Sequence, residues 1–460
     1  MRRMNNAVLR KNTVNFETEE TMGSVWKETV NMKAFPTLER DLHVDVLIIG
    51  GGISGVLTAY LLEKAGVNYA LCEAETIGSG TTKNTTAKIT SQHGLIYEKL
   101  IRTFGEQKAK LYYRANEEAL DAYRTLCGEI DCDFEQKDNY IYTLDDDGKI
   151  EKEMRALKNL GIPAARVRAL PLPFETAGAV RFSNQAQFHP LRFLSGISEG
   201  LRIFEHTRVR ELKKTKDGIT ANTSSGTVLA NRVIVATHFP FLNKHGAYFI
   251  KQYQHRSYVL ALEHTPEFDG MYLDDDEKGL SFRNYRDLLF IGGGSHRTGK
   301  NGGGYRELRS IADRLFPKVT IRNAWAAQDC MTLDSVPYIG RYSAGTEGLY
   351  VATGFNKWGM TGSMTAAKLL CDLLTGTKNP YEELFSPSRT MLRPSLFSNA
   401  AEALWGLIKP TVPRCPHLGC ALHWNEEEHS WDCPCHGSRF AKNGALIDNP
   451  ATGDIKEVKK

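Results

Sequence analysis

At 460 residues the chain is long enough for two or three domains with real cores, and 41% hydrophobic with 24% charged residues is ordinary for a globular protein. A net charge of +4, with Lys and Arg not gathered into blocks, gives no case for a nucleic-acid partner. No stretch approaches the roughly 20 apolar residues of a membrane span, and Arg2 and Arg3 are followed by no apolar core, so a cytoplasmic location is the expectation.

Residues 1 to about 40 are polar and read as an N-terminal arm. The unbroken apolar run 45–49 predicts a buried parallel strand; a glycine turn, a helical pattern over 56–62 and a second strand at 69–73 follow. Residues 97–127 carry helical periodicity in Leu100, Phe104, Leu111, Ala115 and Leu120. Runs at 139–143 and 231–237 read as strands, and alternation through 247–295 predicts antiparallel pairing. Glycines 292–294 and 302–304 mark turns, 349–353 returns to the buried parallel type, and a helix is expected from about 363 to 374. A Pro/Ser-containing stretch, 379–395, and a short amphipathic helix, 396–408, lead to a cysteine-rich end.

Gly50, Gly52 and Gly55 stand in G-x-G-x-x-G order after a predicted strand and at the start of a predicted helix, the context that makes the motif informative. Gly50 permits the turn, Gly52 lets a pyrophosphate approach the backbone, and Gly55 lets helix and strand pack closely. The helix start, with Ser54, offers N–H groups to phosphate, and Glu73 ends the next strand, where a carboxylate binds ribose hydroxyls. This motif alone does not choose FAD over NAD.

From about Trp26 to Leu374 the chain resembles the D-amino-acid-oxidase/glycine-oxidase superfamily of FAD-dependent oxidoreductases. The likeness rests on the glycine motif with Glu73, on 78–88 including Thr86, on 207–209 with 233–237, and on 348–354 with 358–361. It implies FAD, with 78–88 wrapping the flavin, Val209 meeting adenine through its backbone, and Gly354, Gly359, Met360 and Thr361 passing the flavin ring. It also implies hydride transfer from a C–N bond of an amine or amino acid, where orientation is the protein's main task. Candidate substrate-side residues are His93, Arg256, Tyr258, Arg297 and Lys357, with Arg256 and Tyr258 preferred as the catalytic pair and an Arg as a carboxylate clamp. No covalent flavin attachment site is evident.

Near the C-terminus, Cys415 and His417, then fifteen residues, then Cys433 and His436 give C-x-H followed by C-x-x-H. Two thiolates and two imidazoles in that order suit a Rieske [2Fe–2S] centre, where Cys holds one iron and His the other. Tetrahedral zinc is the alternative ligand set. The motif most resembles the Rieske type of cytochrome bc complexes. That likeness implies a Cys420–Cys435 disulfide clamping the two loops and a Ser438 hydroxyl bonded to a cluster sulfide. Phe440 stands where high-potential relatives have Tyr, so a lower potential is implied. His423 and His429 read as exposed, and Cys72, Cys127, Cys132, Cys330 and Cys371 mostly as buried thiols. Rieske domains build several strands before the first cluster loop. Only residues 409–414 precede it here, so much of the supporting base is expected to be missing, and the fifty residues 411–460 are near the size limit for a domain standing alone.

The fold expected is α/β (α+β overall). An FAD-binding Rossmann-like parallel sheet (about 41–96, 180–240 and 331–375) is interleaved with an antiparallel substrate domain (about 97–179 and 241–330). A linker, 376–410, and a small all-β cluster segment, 411–460, follow. The function expected is oxidation of an amine or amino acid by FAD, with electrons passed singly to the cluster and on to an unknown acceptor. The competing readings are a dioxygen-using oxidase with a vestigial cluster segment, and a non-catalytic redox sensor or electron-transfer partner binding another protein through an exposed histidine edge of the cluster.

Overall fold

The computed structural model describes residues 21–242, 245–390, 396, 399 and 413–455. The helix expected over 396–408 lies, apart from 396 and 399, outside the described residues.

The apolar run ending at Ile49 is the centre of the first sheet. Strand Leu42–Ile49 pairs in parallel with Tyr69–Cys72 on one side and Thr227–Val235 on the other. Leu349–Thr353 lies parallel beyond Thr227–Val235, and Ile203–Phe204 parallel beyond Tyr69–Cys72. Tyr338–Arg341 closes one edge antiparallel, and the hairpin Glu211–Thr215 and Gly218–Asn222 extends from Thr227–Val235. Successive side chains of a strand face opposite ways. Val46 and Ile48 therefore join the core with helices Ile53–Lys64 and Gly359–Thr375, while Leu47 and Ile49 pack on the other face with Val233, Tyr248 and Tyr342. Burial on both faces is why the strand reads as a continuous apolar run.

The second sheet is mainly antiparallel and has ten strands. Its centre is Thr320–Thr332, Gln252–Glu263 and Leu288–Arg297, and its far side is Glu135–Thr143 paired with Gly178–Gln187. Lys88–Ile89 and Gly178–Gln187, expected to fall mostly within the nucleotide-binding part, belong to this sheet. A third sheet of four short strands, His423–Asn425, Ser430–Asp432, Arg439–Ala441 and Leu446–Asp448, carries the cysteine-rich segment. Among the described residues no helix is long and apolar enough to cross a membrane.

The N-terminal stretch is not a free arm from residue 21 onward. Thr21–Met22 pairs with Asn323 and Ala324, and Trp26 is fully buried, its Nε1 donating to Thr85 O at 2.8 Å. The indole meets His189, Tyr285 and Phe290 edge-on at centroid distances of 4.9, 4.7 and 5.4 Å, with the Arg283 guanidinium over it at 5.6 Å. One aromatic thus ties the stretch to the second sheet and to the turn at 81–85, which polar composition does not reveal. Trp26→Ala is expected to cost about 3–5 kcal/mol of unfolding free energy, read from urea denaturation; a change below about 1 kcal/mol would show the stretch to be loosely held.

Candidate flavin and cluster sites

Between the two large sheets lies a cavity of about 1060 Å³. The glycine turn forms one end. Gly50 has φ +111°, and a Cβ there would stand 2.5 Å from Ala236 O; a Cβ on Gly55 would stand 1.9 Å from Gly50 O. Turn, strand end and helix therefore close on one another only because both residues lack side chains. Helix Ile53–Lys64 begins at Gly52 with no cap from Gly52 itself; the Thr82 hydroxyl accepts from Ile53 N at 3.1 Å. Ser54 Oγ is buried and has no hydrogen-bond partner among the described residues. Exposed backbone at a helix start with an orphaned hydroxyl fits a pyrophosphate.

Glu73 lines the same wall. Its carboxylate accepts from Gly51 N at 2.6 Å and Glu75 N at 2.9 Å, and burial holds its pKa above the usual value despite these bonds. Thr86, Val209, Gly359 and Met360 also face the cavity. Gly55, Gly354 and Thr361 stand behind the wall. A Cβ on Gly354 would meet Thr332 Cγ2 at 2.3 Å, and Thr361 Oγ1 donates to Thr90 O at 3.1 Å.

His93 is on the wall with both ring nitrogens used. Nε2 lies 2.8 Å from Thr90 O, which only accepts, so Nε2 carries the hydrogen and Nδ1 accepts from Tyr112 Oη at 2.6 Å. Burial pushes its pKa down to about 3, and the neutral ring stacks on Trp358 at 4.8 Å. It packs within that wall as a neutral ring. Lys357 faces the cavity, as does Lys88, whose pKa burial and Arg283 push down to about 7. Sequence reasoning singled out neither Lys88 nor Thr82 by role, although both fall within 78–88.

The four proposed cluster ligands come together on two loops of the same build. Cys415 N donates to Cys420 O and Gly419 N to Cys415 O, both at 2.9 Å; Cys433 N donates to Ser438 O at 2.8 Å and Gly437 N to Cys433 O at 2.9 Å. Gly419 and Gly437 hold φ +80° and +84°. This pairing, Cys-Pro at the start and glycine fifth in each loop, is a short repeat that the sequence reading passed over. The His417 and His436 rings lie 4.9 Å apart. Burial and then His436 push His417 down to about 4, leaving a neutral imidazole able to ligate. His436 is 2% exposed, and neither ring nitrogen has a hydrogen-bond partner among the described residues, as suits a metal ligand. Ser438 Oγ accepts from Ala451 N at 2.9 Å, which leaves its hydrogen to donate elsewhere.

All nine cysteines are unbridged, so the expected Cys420–Cys435 disulfide is not formed in this structure. The two sulfurs share one pocket with Cys433, all within 4.8 Å of one another. Phe440 is fully buried in the segment core, and His423 and His429 are exposed as expected.

Among the described residues the second cluster loop rests on the second large sheet. A Cβ on Gly299 would meet Pro434 N at 2.5 Å, and one on Gly437 would meet Gln254 Cβ at 2.3 Å. Gln328 Nε2 donates to Gly437 O at 2.9 Å. The preferred pair, Arg256 and Tyr258, lies at this seam. Arg256, 3% exposed, does not face the cavity: its Nε donates to Glu428 Oε1 at 3.0 Å and its Nη2 to Oε2. Tyr258 lines the cavity, but its hydroxyl lies 3.1 Å from Glu428 Oε1 and 2.9 Å from His296 Nε2. Arg297 also turns to the cluster loop, donating to Cys435 O at 3.4 Å. On the far side of Glu428, Arg439 donates to Oε2 at 2.8 Å and to Asp432 Oδ1 at 3.0 Å. The expected arginine clamp is present, but it holds a carboxylate of the same chain.

Compared with protein families, residues 45–373 match FAD dependent oxidoreductase, and residues 405–459 match the Rieske [2Fe-2S] domain. The chain belongs to the FAD-dependent oxidoreductase family. Its cofactors are FAD and a [2Fe–2S] cluster, and zinc is set aside as the reading of the Cys/His set. A putative Rieske 2Fe-2S iron-sulfur protein of Bacillus subtilis, YhfW, is 37% identical over 96% of this chain and 98% of its own. The gamma-glutamylputrescine oxidoreductase of Escherichia coli is 23% identical over 79% of this chain and 91% of its own. Glycine oxidase from Geobacillus kaustophilus superposes with a TM-score of 0.63 at 19% identity, over 76% of this chain and all of that one. This is therefore an FAD-dependent oxidoreductase of the amine and amino-acid oxidase type with a Rieske domain.

Burial raises the Glu428 pKa, but Arg256 and Arg439 outweigh it and hold the carboxyl below its ordinary 4.5. A folded-state pKa below the unfolded one contributes stability that is present above about pH 4.5 and lost as pH falls through the folded value. Glu428→Ala removes the partner of two buried guanidiniums and is expected to cost about 3–5 kcal/mol, with lower iron retention. Thermal melting and iron content at pH 7 check this; parental values for both would deny the clamp.

Proposed function

We propose that the chain oxidises the C–N bond of a small amine or amino acid and that the electrons leave its flavin one at a time through the cluster. One observation carries this reading. The His436 side of the cluster site faces inward, with its ring 6.5 Å from Phe239 and 6.0 Å from Phe249 of the flavin domain. FAD supplies a two-electron acceptor, and a Rieske centre accepts single electrons.

The chain's own residues hold the two sites in one frame. His238 lines the flavin cavity and its Nε2 lies 3.0 Å from Gln254 Oε1; Gln254 packs against Gly437 of the second cluster loop. Cavity wall and cluster loop are thus separated by one hydrogen-bonded pair of side chains. A fixed, short separation favours transfer within the chain over diffusion to a partner. The gamma-glutamylputrescine oxidoreductase and glycine oxidase likenesses support the amine or amino-acid class of substrate. Docking to another protein through the histidine edge is disfavoured on the His436 side, because that ring is already covered. The acceptor downstream of the cluster would approach from the His417 side, which is half-buried.

Rapid anaerobic mixing with a substrate amine tests this. The expected result is bleaching of the flavin band together with the EPR signal of a reduced Rieske cluster, and loss of that signal in Cys433→Ser. A cluster that stays oxidised while flavin is fully reduced, with stoichiometric peroxide in air unchanged by Cys433→Ser, would instead establish a dioxygen-using oxidase.

A further inference from the structure

The wall of the flavin cavity is not built by the flavin domain alone. Ile447, Asp448, Asn449, Ala451 and Thr452, all from the cluster segment, line it. They follow or end the last strand of the small sheet, Leu446–Asp448. Two ties fix their place. Asn449 Nδ2 donates to the carbonyl oxygens of Thr237 and, at 2.9 Å, of Phe239. Ala451 N donates to Ser438 Oγ at 2.9 Å, and Ser438 closes the second cluster loop through its own carbonyl. On the flavin side, Thr237 follows Ala236, the residue on which the Gly50 turn rests. A continuous path of hydrogen bonds and packing therefore runs from the cluster loop through 449–451 to the glycine turn.

We propose that residues 447–452 are part of the FAD site and that FAD and the cluster each strengthen binding of the other. The cluster orders the loop that holds Ala451, and Ala451 and Asn449 order the strand end beneath the glycine turn. Whichever cofactor binds first bears the ordering cost, and the second binds to a segment already in place. By linkage the factor is the same in both directions. The inference goes beyond electron transfer and holds even if no electron passes between the two groups.

The test uses the full chain with its cluster loaded and flavin removed, titrated with FAD by quenching of flavin fluorescence. Asn449→Ala is expected to bind FAD about tenfold more weakly, the factor that two modest hydrogen bonds supply. In the parent protein, iron loss to a chelator is expected to be several-fold slower with FAD bound than without, and Asn449→Ala is expected to abolish that difference. Unchanged FAD affinity in the variant would overturn the proposal. Should the variant fail to fold, the parent decides: chelator-driven iron loss at the same rate with and without FAD would equally overturn it.

Discussion

Glu428 sits between two guanidiniums that come from different parts of the chain, Arg256 from the second large sheet and Arg439 from the small one. Its side chain is 12% exposed and theirs 4% and 6%. Removing such charges from water costs several kcal/mol per ion unless each is paired and hydrogen-bonded. With Glu428 in place, Arg256 is bidentate to it, and Arg439 shares itself among Glu428, Asp432 and Asp448. Neither half of the protein keeps that balance alone. A segment with only a small core of its own can then be held in one orientation.

That orientation decides which parts of the cluster site meet the flavin domain. The two loops are built alike, yet His417 is half-buried and His436 lies against Phe239 and Phe249. The difference comes from placement. Gly437 abuts Gln254 closely enough that no side chain would fit there, whereas nothing lies within 4 Å of a Cβ on Gly419. One loop is an interior surface and the other faces outward. The electron path proposed above requires that asymmetry.

The features legible in the sequence are those whose chemistry is local. Gly50, Gly52, Gly55 and Glu73 answer to one strand–turn–helix, and the Cys/His spacing answers to two tight loops. Arg256 and Tyr258 read as substrate residues from sequence because an arginine can clamp a carboxylate. Their actual partner is about 170 residues away in sequence, and nothing at either position announces it. Trp26 was passed over for the same reason: its hydrogen bond reaches Thr85 and its ring contacts lie on three distant segments. The all-β nature of the last segment was legible, but its individual strands were not, because each is three residues long, too short to show a period. That Gly299, Gln254 and Gln328 support the second cluster loop was not legible, since it depends on two distant surfaces meeting.

The central claim is that the cluster segment is a fixed part of the flavoprotein and not a tethered module. Hydrogen–deuterium exchange on the holoprotein tests it most directly. The amides of Gly437 and Ala451 are expected to exchange as slowly as those of strands Gln252–Glu263 and Thr320–Thr332 on which the segment rests. Fast exchange throughout 433–451 while those strands stay protected would contradict the account.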